Sequence, residues 1–462
     1  MLNKVFNNRL DDFWVYPRLT RNKHKREFND NFFDFLNNPR IKDTPTNLYV
    51  HIPFCDSNCF FCPYYKVFGK KGLEKYKDVY IDSIIKEMSL YGNTNYIRKK
   101  KISSIHFGGG NPFLLNVKDF EKIIQATKKF FNFKVDQNIS VEGSINCITN
   151  ESQLKDLYSI GVDRISFGVQ TFDPKIRKNM YIRATLEELY KGIDLIKKFG
   201  KMKFCVDMMY NMPDQNEKIF LNDLKKVNEI NPYQMDLYSM AVFPNTNLDK
   251  KIRERDYYTL NPSNENSIRM FIIANNWLKG QGYNQLTINT YSRYQKKVHI
   301  GDKVYLNNGN VIGLGASSRG YIDGYAYKNV VDIEAYISEV MKLNYPAELS
   351  LKCSEDEHND RKMVLFPILL KIPKNEIPNY SRYKNKLDEL VNHHILELDD
   401  ESNYRVTDRG LPWTGNISSL FINKDAWDAY LQSLMISLKK GFNPYNEDYM
   451  GCKHERKEKN AL

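Results

Sequence analysis

The sequence is poor in cysteine and has no long apolar run. It contains seven cysteines in 462 residues, four of them isolated, which excludes a disulfide framework. The isolated ones are Cys147, Cys205, Cys353 and Cys452. No stretch is apolar for the roughly eighteen residues of a transmembrane helix, and the polar, acidic start lacks the apolar core of a signal peptide. We therefore expect a cytoplasmic protein with reduced thiols and no membrane span.

Nucleic-acid motifs, internal repeats and low-complexity tracts are also absent. The net charge is +12, so an anionic partner is one interpretation of the basic runs near both ends. The other is that lysines among many asparagines cover solvated helix faces, and the absence of an arginine-rich stretch favours it. We expect no nucleic-acid partner. A hydrophobic content of 42% supports the cores of two or three domains.

Short β-rich runs alternate with amphipathic helical segments through the first half of the chain. The six runs carry β-branched or aromatic residues and read NLYVHIP, ISSIHFGG, NISVEGS, RISFGVQ, KFCVDMMY and QMDLYSM. Five segments with helical spacing of apolar residues lie between them, and Gly92, Gly161 and Gly200 stand where left-handed caps belong. The alternation predicts a parallel α/β array, either a full or partial barrel or a doubly wound sheet.

Both architectures place ligand-binding residues at the carboxyl ends of the strands. Residues suited to chemistry lie at or near the ends of these β-rich runs. They are a cysteine cluster after the first run, Gly108 to Gly110 after the second, Glu142 in the third, Gln170 after the fourth and Asp207 in the fifth. We expect these residues to line one site.

The remaining sequence suggests further units. We predict a leader segment over 1–46, a core domain over 47–346 that includes the glycine-rich stretch VIGLGASSRGYIDGYAY, and a basic tail over 436–462. Between core and tail, helical periodicity returns from about Ala347. The stretch HHILELDDESNYRVTDRG then indicates a helix end and a two-stranded hairpin, as in winged-helix modules. We therefore predict a small C-terminal α+β domain over 347–435.

The cysteine cluster HIPFCDSNCFFCPYY holds Cys55, Cys59 and Cys62 in the spacing C-x3-C-x2-C. Thiolates favour iron–sulfur clusters and zinc. A structural zinc site needs four protein ligands, and His51 in the strand-like run before the cysteines is the candidate for the fourth. Three ligands on a 4Fe-4S cluster instead leave one iron open to a substrate, and the surrounding aromatic residues would exclude water.

In these motifs the chain resembles the radical S-adenosylmethionine superfamily, in the branch of oxygen-independent coproporphyrinogen III oxidase. The similarity runs in order through LYVHIPFCDSNCFFC, IHFGGGNP, GVDRISFGVQTFDP, DMMYNMPDQ, DLYSM, VIGLGASSRG and YRVTDRG, which covers most of the chain. The resemblance implies a partial parallel (β/α)6 TIM-like barrel of radical SAM type with the small C-terminal domain. It also implies a 4Fe-4S cluster that cleaves S-adenosylmethionine after reduction by a donor such as flavodoxin or ferredoxin.

The resemblance assigns roles to single residues. Cys55, Cys59 and Cys62 would hold the cluster, whose open iron chelates S-adenosylmethionine. The cofactor would contact Tyr49, Gly108, Gly109, Gly110, Asn111, Glu142, Gln170, Arg183 and Asp207, with Arg183 suited to its carboxylate. The segment around Gly313, Gly315 and Ser317 would hold a second S-adenosylmethionine or the substrate, which the family suggests is a tetrapyrrole.

Departures from the family pattern bear on the reaction. Tyr64 stands at the position of the last cysteine in the pattern C-x3-C-x2-C-x-C, which is typical of the oxidases. Asn111 stands where the family usually has threonine. CFFCPYYK and GLPWTGNI are similar to stretches of anaerobilin synthases, the anaerobic haem-degrading methyltransferases. We therefore expect a radical enzyme acting on a haem-type tetrapyrrole, such as a radical methyltransferase. The alternatives are a coproporphyrinogen III oxidase, a haem-trafficking chaperone and a zinc-binding structural protein.

Overall fold

The computed structural model describes residues 6, 8–10, 15–20, 29–38, 44–133, 138–243, 246–254, 258–428, 431, 432 and 435. The predicted basic tail 436–462 and Cys452 lie outside them. The strands are β1 Thr46–Ile52, β2 Phe54–Cys55, β3 Val67–Phe68, β4 Ile102–Gly109, β5 Asn138–Gly143, β6 Val162–Gln170, β7 Lys203–Tyr210, β8 Gln234–Ser239, β9 Asn284–Gln285, β10 Thr290–Ser292, β11 Asn310–Leu314, β12 Arg319–Ile322, β13 Tyr325–Asn329, β14 Ala347–Lys352, β15 Lys371–Pro373, β16 Leu396–Leu398 and β17 Asn403–Val406.

The α-helices in the described part of the chain are α1 Asn29–Asn37, α2 Gly69–Gly92, α3 Val117–Phe130, α4 Glu151–Ser159, α5 Pro174–Asn179, α6 Leu186–Phe199, α7 Glu217–Ile230, α8 Asn247–Arg253, α9 Asn264–Gly280, α10 Ile300–Leu306, α11 Ile333–Met341, α12 Glu355–Leu365, α13 Tyr380–Asn392 and α14 Thr414–Ser419. All six predicted strands and all five predicted helices are present. None of these helices has the length and apolar character needed to cross a bilayer.

A twelve-stranded sheet forms the frame of the molecule, in the order β14-β13-β12-β11-β1-β4-β5-β6-β7-β8-β10-β9. The strands from β11 to β8 in this order are parallel. The sheet does not close on itself, because β11 continues into antiparallel β12 and β8 into antiparallel β10. The prediction of a partial parallel barrel is confirmed, and the glycine-rich extension contributes β11 to it.

Alternation along the strands separates an apolar face from a polar one. Val50, Phe107 and Val141 have no exposed surface and belong to the main hydrophobic core. Their neighbours on the opposite face of the sheet include Tyr49 and Glu142. TIM-barrel interiors are usually filled with bulky apolar residues, so polar residues on this face mark a site and not a packing core.

The helix α10 packs across the amino ends of the strands. The amide of Asn47 at the start of β1 donates to the carbonyl of Gly301 at 2.8 Å. Ser104 of β4 approaches the same glycine, since a Cβ there would lie 3.2 Å from its hydroxyl oxygen. The polar interior is therefore covered at this end, and its carboxyl end is the one available to a ligand.

The three glycines expected to cap helices differ in conformation and position. Gly200 caps α6 in the left-handed conformation with φ of 71°, and Gly161 has φ of 100°. Gly92 instead is the last helical residue of α2, and Asn93 caps that helix. A Cβ on Gly92 would lie 2.6 Å from the Cβ of Phe130. The left-handed conformation predicted for Gly92 was wrong, because close helix packing explains this glycine.

The leader contributes to the core domain. Helix α1 places Phe32 without exposed surface in the main core, where its ring lies 4.8 Å from that of Tyr325. At the other end of the predicted core, the sheet runs six residues beyond 346, because β14 pairs with β13. The helical periodicity expected from Ala347 was therefore wrong for these residues.

A second hydrophobic core lies in the C-terminal region and includes Tyr383, Leu387 and Ile417. Three antiparallel strands in the order β15-β17-β16 accompany the helices α12, α13 and α14 there. The predicted hairpin is the pair β16 and β17. The winged-helix likeness of this domain stays a prediction.

Candidate active site

The cysteine loop leaves the carboxyl end of β1 and is held by neighbouring segments. The backbone amide of Phe60 donates to the carbonyl of Met180 at 3.1 Å, and that of Leu248 donates to the carbonyl of Phe60 at 3.1 Å. The ring of Phe60 stacks on that of Tyr181 with centroids 4.1 Å apart. The loop that carries Cys59 and Cys62 is thus fixed on both sides by the connections that follow β6 and β8.

The three thiols of this loop are free and partly buried. Burial raises the pKa of Cys55 and takes that of Cys59 to about 12, and the neighbouring thiol of Cys62 adds to both rises. The thiols of Cys55 and Cys59 are therefore neutral until a metal stabilises the thiolate form. Three soft donors in one sheltered loop fit the chemistry of an iron–sulfur cluster.

Within the described residues, no three His, Cys, Asp or Glu side chains already meet as a site for one metal ion. A single-ion site is what the zinc alternative requires, whereas the thiolates of a 4Fe-4S cluster bind different irons. His51, the candidate fourth zinc ligand, is buried on β1, and its Nδ1 lies 3.1 Å from the hydroxyl of Tyr49.

Ring and carboxylate contacts cross the polar face beside the loop. Tyr49 stacks on His106 with centroids 5.9 Å apart, and His106 Nε2 lies 3.4 Å from Glu142 Oε2. The other ring nitrogen of His106 contacts the hydroxyl of Ser140 at 2.8 Å. The side chain of Glu142 is 45% exposed and so remains available to a ligand. The structure brings Tyr49 and Glu142 together, as the resemblance implies.

His51 has an unusual environment at the same point. Its Nε2 is buried and has no hydrogen-bond partner in the part of the chain that the structure describes. Burial lowers the pKa of His51 to about 4, so its imidazole is neutral at physiological pH.

The triple glycine lies against these side chains. A Cβ on Gly108 would lie 3.1 Å from the ring of Tyr49 and 3.3 Å from a carboxylate oxygen of Glu142. Gly109 has φ of 114°, and a Cβ there would lie 2.6 Å from the ring of His51. The amide of Gly110 donates to the carbonyl of Ile52 at 2.8 Å, which joins the turn to β1. The absence of side chains keeps this strand end open.

Acidic side chains extend the site into the barrel. Asp207 keeps some accessible surface but lies among protein groups. Burial raises its pKa well above the ordinary value, and the negative charges of Glu142 and Asp236 add to the rise while Arg164 opposes it. Burial also raises the pKa of Asp236 to about 6. An excess of carboxyl groups over cations in this enclosed space favours a positively charged ligand group.

Asn111 and Arg183 both contact Asp56, the residue after Cys55. The amide nitrogen of Asn111 donates to Asp56 Oδ1 at 3.0 Å, and Arg183 Nε lies 3.0 Å from Asp56 Oδ2. Asn111 also donates to the thiol of Cys147 at 3.4 Å. Cys147 therefore lies close to the cysteine loop although the sequence gives no sign of it.

Gln170 ends β6 in the left-handed region with φ of 66°, next to an irregular pairing of β6 with β7. A non-glycine residue in this conformation is strained. Its position at the strand end agrees with the expected edge of the site, and its contact with a cofactor stays a prediction.

The two glycines of the extension differ. Gly313 lies beside Tyr49 in the sheet, and its amide and carbonyl both bond the hydroxyl of Tyr327, at 3.0 and 3.1 Å. The backbone of Arg319 fills the space where a Cβ would lie, so close packing already explains this glycine. Gly315 has φ of 97° and a Cβ there would lie 2.7 Å from the carbonyl oxygen of His51. Gly315 therefore packs against the backbone of β1 at His51.

A buried carboxyl group holds the turn at Gly315. Glu87 of α2 has no exposed surface and accepts hydrogen bonds from the Gly315 amide at 2.8 Å, from Tyr336 at 2.6 Å and from Asn329 at 2.7 Å. Tyr80 joins the same turn to β1, since its hydroxyl donates to the carbonyl of His51 at 2.8 Å and accepts from the amide of Ala316 at 2.9 Å.

This carboxyl group should make stability depend on pH. Burial raises the pKa of Glu87 from 4.5 to about 7, so between these values the folded protein keeps a proton that the unfolded chain has released. Stability therefore falls as pH rises through this window, by on the order of 3 kcal/mol. Urea unfolding of the parent and of Glu87→Gln, under anaerobic reducing conditions from pH 4.5 to 7, should show a flatter profile for the variant. Parallel profiles would contradict the prediction.

Tyr64 and Trp413 differ in their surroundings. Tyr64 is 57% exposed beside the cysteine loop. Trp413 packs edge-on against Phe6 of the leader with centroids 5.7 Å apart.

Sequence reasoning missed several residues of the site, namely Asp56, Glu87, His106, Arg164 and Asp236. His106 and Asp236 lie on predicted strands at positions that alternate with buried apolar residues, which is the signal that would have found them. Asp56 and Glu87 have no such signal, because their partners are distant in sequence.

Comparison with known proteins agrees with this geometry. The model of the radical SAM superfamily matches residues 49–227. The heme chaperone HemW of Buchnera aphidicola is 30% identical over 285 residues, covering 61% of this chain and 72% of that protein. The oxygen-independent coproporphyrinogen III oxidase of Helicobacter pylori strain 26695 is 25% identical, covering 80% and 82%. The anaerobilin synthase of Escherichia coli O157:H7 is 22% identical, covering 80% and 82%.

A solved structure supports the fold. Coproporphyrinogen III oxidase (HemN) from Escherichia coli, described as a radical SAM enzyme, superimposes with a TM-score of 0.75 at 21% identity, covering 91% of this chain and 97% of that one. The chain therefore belongs to the radical SAM superfamily, which uses a 4Fe-4S cluster and S-adenosylmethionine, in the branch of HemW and oxygen-independent coproporphyrinogen III oxidase.

Proposed function

We propose that this chain is a radical enzyme that cleaves S-adenosylmethionine reductively and acts on a haem-type tetrapyrrole. The main observation in support of this function is that the loop with Cys55, Cys59 and Cys62 lies at the carboxyl end of the parallel strands, beside the polar interior. These three cysteines would hold the cluster. When bound and reduced, the cluster supplies the electron that splits S-adenosylmethionine into methionine and a 5′-deoxyadenosyl radical.

The protein side chains would bind and orient the cofactor. Glu142 and Asp207 suit ribose hydroxyls or an ammonium group. A cationic end of S-adenosylmethionine would oppose the rise in the pKa of Asp207 and stabilise its ionised form. Gly108 and Gly109 leave room for its methionine part. The stack of Phe60 on Tyr181 would keep water from the cluster side.

Replacing Glu142 by alanine should weaken S-adenosylmethionine binding and leave the iron content normal, because this carboxylate contacts His106 and is not one of the three thiol ligands. The expected loss is about 1.5–3 kcal/mol, the usual contribution of a charge-assisted hydrogen bond. Anaerobic calorimetry of the reconstituted protein measures it. Glu74→Ala, on the exposed face of α2, is the matched control and should bind as the parent does. Equal affinity in parent and Glu142→Ala would remove Glu142 from the site.

The tetrapyrrole class is supported by the relatives, whose names refer to haem, coproporphyrinogen III and anaerobilin. The propionates of such a substrate would suit a chain of net charge +12. The turn at Gly315 would hold the substrate or a second S-adenosylmethionine, because it packs against the end of β1.

Within this class we favour methylation or ring opening of haem over coproporphyrinogen oxidation. The reason is Tyr64, which replaces the last cysteine of the oxidase pattern. A phenol, with an ordinary pKa of about 10, matches neither the sulfur chemistry nor the acidity of a thiol near 8.5. A haem chaperone of the same fold is the second candidate, supported by the similarity to HemW.

The test is anaerobic incubation of the reconstituted protein with reductant, S-adenosylmethionine and either haem or coproporphyrinogen III, followed by mass spectrometry. We expect 5′-deoxyadenosine or a demethylated cofactor, altered haem, and no protoporphyrinogen. Protoporphyrinogen formation would restore the oxidase assignment. Haem binding without cofactor cleavage would establish the chaperone, and zinc in place of iron after reconstitution would refute the radical chemistry.

A further inference from the structure

We propose that Asp56, held by Asn111, is a positioning residue that presents the guanidinium of Arg183 to the carboxylate of S-adenosylmethionine. The proposal rests on the proposed function of this site, and it concerns three residues, Asp56, Asn111 and Arg183, from three parts of the fold.

Asp56 holds one edge of the guanidinium. Its carboxylate oxygen Oδ2 lies 3.0 Å from Arg183 Nε, and its backbone carbonyl accepts from Arg183 Nη1 at 3.1 Å. The Asp56 side chain is only 18% exposed, whereas that of Arg183 is 55% exposed. A largely buried carboxylate therefore fixes an arginine that would otherwise move freely in solvent.

The rest of the guanidinium remains available. Arginine has five N–H donors, and the two contacts with Asp56 use the Nε donor and one on Nη1. In the described part of the chain, Nη2 of Arg183 makes no hydrogen bond with the protein. The outward edge is thus able to bind a second carboxylate through two parallel donors.

Asn111 fixes Asp56 in turn. Its amide nitrogen donates to Asp56 Oδ1 at 3.0 Å while its carbonyl oxygen accepts from the backbone amide of Ser144 at 2.9 Å. Asn111 is 2% exposed, so both bonds are sheltered from water. Threonine, the usual residue of the family at this position, has a shorter side chain with one hydroxyl group and would not bridge the same two partners.

The two contacts together make a preorganised site. Both carboxylate oxygens of Asp56 are occupied, one by Asn111 and one by Arg183, so the aspartate is fixed between the strand end and the arginine. Rotamer freedom of Arg183 is restricted before a ligand arrives, so the arginine loses less conformational entropy when a ligand carboxylate binds.

The experiment measures S-adenosylmethionine affinity by anaerobic calorimetry on the full, reconstituted chain, with iron content determined in parallel. Asp56→Asn should bind about tenfold more weakly than the parent and retain its iron. Asn111→Thr should shift affinity in the same direction by a smaller factor. In an Arg183→Ala background, Asp56→Asn should cause no further loss, because its effect acts through the arginine. Asp78→Asn, on the exposed side of α2, is the control and should change nothing.

Unchanged or tighter binding by Asp56→Asn would overturn the proposal, since Asp56 would then compete with the ligand for Arg183. Iron loss in both Asp56→Asn and Asn111→Thr would also overturn the proposal. The two residues would then act only by holding the cysteine loop in place. If the parent protein binds no S-adenosylmethionine, the proposed function itself is refuted. If the parent binds it and Asp56→Asn binds it equally well, only the role of Asp56 is refuted.

Discussion

Replacement of Cys59 by alanine is expected to abolish assembly of the 4Fe-4S cluster. Two thiolates cannot hold three irons of the cluster, and the loop offers no spare sulfur once one of its three is lost. Iron and sulfide analysis after anaerobic reconstitution, together with the absorbance of the cluster, should show near-complete loss. Cys55→Ala and Cys62→Ala should behave in the same way.

The other described cysteines provide the controls for this experiment. Cys205 has no exposed surface and lies against Arg164, whose Nε donates to its sulfur at 3.0 Å, so Cys205→Ala should keep its iron. Cys147 is the sharper control because Asn111 joins it to Asp56 of the loop. If Cys147→Ala lost iron as completely as Cys59→Ala, the three-cysteine site would be wrong.

Replacement of Gly109 by alanine is expected to destabilise the protein severely and to remove cofactor binding. With φ of 114°, any side chain there is strained, and its Cβ would lie 2.6 Å from the buried ring of His51. Backbone strain costs about 1–3 kcal/mol and overpacking about 1–3 kcal/mol more, so a loss of about 2–6 kcal/mol is expected. Urea unfolding of parent and variant measures it.

Gly280→Ala is the matched control, because no atom lies within 4 Å of its missing Cβ and its φ is ordinary. It should unfold at the parent's urea concentration or slightly above. A Gly109→Ala protein with the parent's unfolding midpoint and normal S-adenosylmethionine affinity would show that the turn tolerates a side chain, and that neither the strain nor the contact with His51 is real.

Cys59→Ala and Gly109→Ala test two different parts of the candidate site, the cysteine loop and the strand end beneath it. Cys59→Ala removes a metal ligand from a loop that the connections after β6 and β8 hold in place. Gly109→Ala disturbs the strand end on which that loop rests, since Gly110 and Asn111 donate to the carbonyls of Ile52 and Phe54 at 2.8 and 2.7 Å. Because the loop and the strand end are joined in this way, Gly109→Ala should impair both of them. Cys59→Ala should affect the loop and its cluster alone.

The order of strands and helices was determined by the sequence itself. Alternation of apolar and polar residues and helical spacing are local patterns, and each predicted strand and helix of the barrel formed where its pattern lay. The cysteine loop was also visible locally, because its three thiols fall within eight residues. Two local inferences failed, at Gly92 and after Ala347, since in both places a neighbouring element and not the local pattern decided the conformation.

Only the tertiary structure decided which side chains meet. Asp56 and Arg183 are separated by 127 positions, and Glu87 and Gly315 by 228, so no spacing rule links either pair. Glu87 reaches Gly315 because β11 lies beside β1 in the sheet, and Arg183 reaches Asp56 from the connection that follows β6. The register also sets Tyr49 beside Gly313 and His106. The sequence determined the elements and the metal-binding loop because those rest on short-range patterns. The polar interior, its acidic charge and the hold on Arg183 arise only when distant strand ends meet at one edge.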